Sequence, residues 1–92
     1  MKCERNAIDT DYVDELIYPG KVSPEHFKCL VTLSRIRGKK TVVALEDFLV
    51  NGRTRKVIFE IYKISPGYFS LKLKQIRYYN RLIAEILPFY MR

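Results

Sequence analysis

The 92-residue sequence is poor in the residues that chemistry needs. It has two cysteines and a lone His26, and Cys3 and Cys29 lie too far apart to build a recognised zinc site with it. Ser65 and Ser70 have no base in a recognisable motif, and no glycine-rich phosphate loop is present. Catalysis, a metal and a cofactor are therefore not expected. No apolar run approaches the ~20 residues of a membrane span. The N-terminus "MKCERNAIDTDY" lacks the apolar stretch of a signal peptide. The expected setting is cytoplasmic, with both thiols reduced and Cys29 a small buried side chain. There are no internal repeats or low-complexity tracts, and this length holds one small domain.

The last scarcity is acid. Residues 52–92 hold only Glu60 and Glu85 against nine basic side chains, while residues 1–22 hold five acids against three bases. The net charge of +7 thus belongs to the C-terminal part, the footprint of a polyanion-binding surface. The bland alternative is a solvated basic face.

Residues 1–22 show no clear period and end in the turn signal "YPGKV". They read as an N-terminal arm, with a short helix around Tyr12–Ile17 and a possible role in oligomerisation. Residues 23–92 read as a helical DNA-binding domain. Ser23-Pro24-Glu25 supplies an N-cap, a first-turn proline and an acid at the positive helix end. Phe27, Leu30, Val31 and Ser34 then trace a helical stripe, with Leu33 beside it, until Gly38. A second helix is predicted over Lys40–Val50. Val42, Leu45, Phe48 and Leu49 share its inner face, and Glu46 and Asp47 look outward. Gly52 ends it, and Thr54 caps a third helix, Arg55–Tyr62, although "VIFEIY" is rich in strand formers.

The stretch "IYKISPGYFSLKLKQI" admits two readings. As a hairpin, Pro66-Gly67 fits a type II turn, and Phe69, Leu71 and Leu73 alternate with polar residues. As a helix-turn-helix, Ser65 is an N-cap, Pro66 opens a helix, and Phe69, Leu73 and Ile76 share one face. That stripe continues to Ile83 and Leu87, whereas the alternation fails at Gln75. A lone hairpin between helical flanks is also only marginally stable. The expected class is all-α, a small helical domain with a helix-turn-helix at about 54–79. The helix from Pro66 is expected to reach about Tyr79, with Asn80 an interruption or a bend before "RLIAEIL", and Pro88 as the stop.

From Thr41 onward the sequence resembles the PapB-type fimbrial, or adhesin biosynthesis, transcription regulators of enteric bacteria. The matching residues are Ala44, Asp47, Leu49-Val50, Gly52, Arg55-Lys56, Tyr62, Gly67-Tyr68-Phe69-Ser70 and Leu73. The upstream "SPEHFKCLVTLSRIRGKK" and the final "LPFY" are also similar, so that the likeness covers about residues 16–90. The resemblance implies an all-helical regulator of a fimbrial or adhesin operon, occupying A/T-rich repeats cooperatively as an oligomer. Two positions depart from a generic helix-turn-helix: Phe59 stands where a small residue is usual, and Lys63 where the turn usually has glycine.

On a wheel of ~100° per residue with Tyr68 at zero, Phe69, Leu73 and Ile76 cluster near about 100°. Ser70, Leu71, Lys74 and Tyr78 lie between about 200° and 300°, on the face that a recognition helix turns to a groove. Ser70 and Lys74 can bond base edges or phosphates, and Leu71 can touch a thymine methyl. Arg53, Arg55, Lys56, Lys72 and Arg77 read as phosphate clamps. Arg53 or Arg55 can instead enter a narrow A/T minor groove. With Ser65 and Tyr68 at the helix start, these ten residues form the candidate DNA-binding set. The expected partners are A/T-rich double-stranded DNA and further copies of the chain, in the nucleoid, with no membrane. Leu71 and Tyr78 also suit a protein contact. Two alternatives stay open: a basic adaptor for an acidic protein, and an RNA-binding protein that stacks bases on Tyr62, Tyr68, Phe69 and Tyr79.

Overall fold

Ser65 decides between hairpin and helix. Its backbone is extended (φ −71° at the equivalent cap Ser23, −68° here) and its hydroxyl accepts the Tyr68 N–H at 3.3 Å. Pro66 then opens a helix of 21 residues, where a missing N–H costs nothing. The computed structural model describes residues 17–91, and among them the chain is all-helical. The α-helices are α1 (Pro24–Ser34), α2 (Lys39–Leu49), α3 (Arg55–Tyr62) and α4 (Pro66–Ile86). A 3-10 turn, Leu87–Phe89, follows where Pro88 denies the helix a further bond.

α3 forms against its local propensity. Thr54 accepts the Val57 N–H at 3.3 Å, and Ile58 is wholly buried while Glu60 and Ile61 face water. A cap and one buried stripe outweigh the β-branched residues, as tertiary packing commonly does. Lys63 closes the helix in the left-handed conformation (φ 57°), taking the glycine's place in the turn. Only Lys63-Ile64-Ser65 separate α3 from α4, and Ile64 is buried.

α4 is the spine. It packs on α1 and on α2, while α2 packs on α1 and α3. Phe69 lies fully buried where α2, α3 and α4 meet, with the rings of Phe48 and Phe59 edge-on to it at 5.3 and 5.5 Å. Phe59 thus packs sideways against the helix that follows it. Asn80 does not interrupt α4, which runs on past the expected end at Tyr79 to Ile86. Asn80 is buried against α1, and its Oδ1 lies 3.1 Å from Nε2 of His26, so the lone histidine has an amide as its neighbour.

Of the arm expected over 1–22, residues 17–22 are described, and these lie on the helices. Ile17 and Val22 are buried. The Tyr18–Lys21 turn closes with a 3.0 Å bond, and the N–H groups of Gly20 and Val22 donate to the carbonyls of Phe48 and Leu49 at 3.3 and 3.1 Å. These two carbonyls sit at the end of α2, where a helix has no partner of its own. Gly20 (φ 74°) and Gly52 (φ 80°) meet backbone to backbone there, and a Cβ on either would stand 3.4 Å from the other's Cα. The helix expected around Tyr12–Ile17 falls outside the described residues.

Two expectations are corrected. Cys29 is exposed, not buried, because it lies about 200° round α1 from Phe27, and Leu33 is half in water for the same reason. Asp47 does not look out to solvent: its side chain is turned toward α3 and is only 13% exposed.

Candidate nucleic-acid interface

Packing of Phe69, Leu73 and Ile76 inward turns the opposite face of α4 outward, so Ser70, Leu71, Lys74 and Tyr78 are all exposed. Beside them runs a groove of about 530 Å³, lined by Arg55, Ser70, Leu73, Lys74, Arg77, Tyr78 and Arg81. Four of these seven are cations. Their collection on one concavity follows from spacing: Ser70, Lys74, Arg77 and Arg81 recur every three or four residues along α4.

Arg55 enters the groove from the first turn of α3. Its guanidinium carbon lies 5.1 Å from the centre of the Phe48 ring and 5.6 Å from that of Phe69, and Nη1 donates to Oγ of Ser70 at 3.4 Å. The cation rests on the aromatic core and is only half-buried, so its remaining N–H donors face the groove. Arg77 is half-buried as well, and its Nη2 donates to the carbonyl of Ile17 at 3.3 Å. That contact ties α4 to the segment ahead of α1.

The other predicted residues distribute around this centre. Lys56 is exposed at the start of α3. Ser65 is exposed, its oxygen accepting the Tyr68 N–H while its own hydrogen stays available to donate. Tyr68 is exposed at the head of α4, with Nζ of Lys72 5.2 Å from its ring centre. Arg53 stands apart, in the α2–α3 connection, where Nε meets Oδ1 of Asp47 at 3.3 Å. The fold thus brings Arg55, Ser70, Lys74 and Arg77 together, and arranges Lys56, Ser65, Tyr68, Leu71, Lys72 and Arg53 around them. Sequence reasoning missed Arg81, although on the same wheel it falls at about 220°, between Ser70 and Lys74. It placed Asp47 outward and gave it no role.

Asp47 has an electrostatic setting of its own. The Tyr62 hydroxyl, then the Asn51 amide, bond its carboxylate and hold it below the ordinary value of 3.8, with Arg53 adding to the effect. The same bond raises the Tyr62 phenol above 10.0. No three His, Cys, Asp or Glu side chains gather as metal ligands among the described residues, and no described helix is long and apolar enough to cross a membrane.

Residues 1–90 match the PapB family, described as adhesin biosynthesis transcription regulatory protein. The chain belongs to this family. It is a regulator of fimbrial and adhesin operon transcription, and the PapB family is non-enzymatic. The chain is 34% identical over 85 residues to the major pilus subunit operon regulatory protein PapB of Escherichia coli, covering 92% of this chain and 82% of that protein. It is 46% identical over 59 residues to the E. coli regulatory protein FanB, covering 64% of this chain and 60% of FanB. Among solved structures, the crystal structure of E. coli FocB superposes with a TM-score of 0.77 at 32% identity, over 89% of this chain and 99% of FocB. An all-helical PapB-family domain is therefore the frame in which the groove is to be read.

Proposed function

We propose that this chain regulates its operon by binding A/T-rich double-stranded DNA through α3 and α4. The observation that carries this is the groove where Arg55, Lys74, Arg77 and Arg81 converge beside the exposed Ser70. In this reading α4 lies in a DNA groove, with Ser70, Lys74 and Leu71 toward the bases. Arg53, Arg55, Lys56, Lys72 and Arg77, with Arg81, engage phosphates, which fix register and carry no sequence information. Ser65 and Tyr68 approach the backbone at the helix start. The family's task in transcription supports a cytoplasmic setting, and DNA binding of this kind would hold the protein at the nucleoid.

Cooperative assembly along repeated sites is the second part of the proposal. Leu71 and Tyr78 are more than half exposed, and together with Lys74, Gln75 and Tyr79 they border an apolar hollow next to the DNA-facing side. As the rival to its base contact, Leu71 with Tyr78 meets a neighbouring copy there; the other route is the acidic 1–22 arm on the basic half of the next copy. Head-to-tail contacts of that kind extend a chain instead of closing a dimer.

The test is a titration of A/T-rich repeats and of a G/C-rich duplex at two salt concentrations, by gel shift and fluorescence anisotropy. Six to ten phosphate contacts lose about 10³–10⁵ in affinity between 50 and 200 mM salt. Stepwise, A/T-selective binding that weakens steeply with salt is expected. Weak binding that is equal on both duplexes favours the adaptor for an acidic protein, and preference for single strands favours RNA.

A further inference from the structure

Asp47 stands in the last turn of α2, where a negative charge faces the negative end of the helix dipole and is locally unfavourable. Three partners offset that cost. Oδ2 accepts the Tyr62 hydroxyl at 2.6 Å, and Oδ1 accepts the Asn51 amide at 2.8 Å and Nε of Arg53 at 3.3 Å. The backbone joins in, for the Asp47 carbonyl accepts the Arg53 N–H at 3.0 Å. Arg53 is thus held by main chain and side chain to one residue, and that residue is fixed to α3 through Tyr62.

The order of exposure matters. The Asp47 side chain is 13% exposed and that of Arg53 53%, so the acid sits beneath and the cation above it. The contact is made through Nε, the nitrogen nearest the side-chain stem, and the two Nη groups lie beyond it at the tip of a side chain that is 53% exposed. Paired Nη donors are the group that grips a phosphate in two-point fashion.

We infer that Asp47 is a positioning residue for DNA binding: it holds Arg53 at the entrance to α3 with its outer N–H groups presented to a backbone phosphate. This rests on the DNA-binding reading above. It also opposes simple charge counting. A carboxylate beside a DNA-facing surface repels phosphate, so its removal should tighten binding; a carboxylate that orders an arginine should weaken binding when removed.

The experiment uses the full chain, with Asp47→Asn, Arg53→Ala, the double variant and Arg53→Lys. Each is titrated by anisotropy on an A/T-rich duplex across a salt series, at a temperature where circular dichroism shows all of them folded. Asp47→Asn is expected to weaken binding roughly three- to tenfold and to lower the salt slope by about 1, the signature of one lost phosphate contact. In the Arg53→Ala background the same change should no longer weaken binding and should tighten it slightly, because only the repulsion remains to be relieved. Arg53→Lys leaves Asp47 untouched and the formal charge constant, yet removes Nε; it too should weaken binding, which keeps the test valid if Asp47→Asn does not fold. The idea is overturned if Asp47→Asn binds as tightly as wild type or tighter, if its loss persists undiminished with Arg53 gone, or if Arg53→Lys is indistinguishable from wild type. Failure of the DNA-binding reading looks different: the wild-type protein itself then shows no salt-dependent binding, and Arg53→Ala changes nothing.

Discussion

Nη1 of Arg55, in the first turn of α3, donates to Oγ of Ser70, in the second turn of α4, at 3.4 Å. The bond crosses between the two helices of the motif, on the surface where both face the groove. Because the same guanidinium rests on the rings of Phe48 and Phe69, the position of a surface cation is set by the core beneath it.

Arg55 should therefore matter twice, unequally. Loss of the ring contacts in Arg55→Ala should cost about 0.5–2 kcal/mol of stability. DNA affinity should fall by tenfold or more, about 1.4 kcal/mol or greater. Arg55→Lys keeps the charge but loses the planar fork, and should recover stability less than it recovers affinity at low salt. Urea unfolding and anisotropy titrations measure the two effects separately. Unchanged affinity in Arg55→Ala would remove Arg55 from the interface.

Phe69 is the shared contact of three helices. Phe69→Ala should lose about 3–5 kcal/mol, a large part of the ~5–15 kcal/mol typical of a whole domain. Phe69→Leu should lose clearly less. Denaturant midpoints for the two variants test this, and a Phe69→Leu midpoint equal to wild type would mean that the edge-on packing with Phe48 and Phe59 contributes nothing specific.

The Asp47–Tyr62 bond has a defined pH window. The folded Asp47 pKa lies below 3.8, so its contribution is complete above that value and is lost only as pH falls through the lowered one. The folded Tyr62 pKa lies above 10.0, so its contribution is complete below that value and is lost as pH rises through the raised one. The stability difference between wild type and Tyr62→Phe, about 1 kcal/mol for a half-exposed bond, should be flat from about pH 5 to 9. It should shrink toward both extremes. A difference that already declines between pH 7 and pH 5 would contradict the lowered Asp47 value.

Gly52→Ala puts a Cβ at φ 80° and directly over Gly20. The left-handed conformation alone costs about 1–2 kcal/mol for a residue with a Cβ. Thermal melts should show the loss, and a variant as stable as wild type would mean that the two backbones separate without cost.

Much of this was legible in the sequence where a local signal coincided with a buried stripe. Ser65-Pro66 and Thr54 marked helix starts, and Phe69, Leu73 and Ile76 marked the inner face of α4. What escaped was contact between segments far apart in the chain. Asp47 reads as an outward acid until α3 brings Tyr62 to it. Asn80 reads as a break until α1 places His26 opposite. Cys29 misled because cysteine is usually buried, and only the angular position of Phe27 and Leu30 shows that the core lies on the other side. Of the candidate site, the α4 face was visible as periodicity, and Arg81, though missed, lies on that same face. The lodging of Arg55 on two aromatic rings depends on α2, and no spacing rule carries that information.

The bonds from Gly20 and Val22 to the end of α2 bear on how this protein opens. Both amides lie in a stretch without regular structure, where fast exchange with solvent would be assumed. Because their acceptors are the carbonyls of Phe48 and Leu49, their hydrogens are released only when the segment parts from α2 or the end of α2 comes apart. In a deuterium-exchange experiment, residues 20 and 22 should exchange more slowly than an unbonded loop. The cooperative unit thus extends ahead of the first helix, and a tether or label placed between residues 17 and 22 would pull on the end of α2 rather than hang free of it.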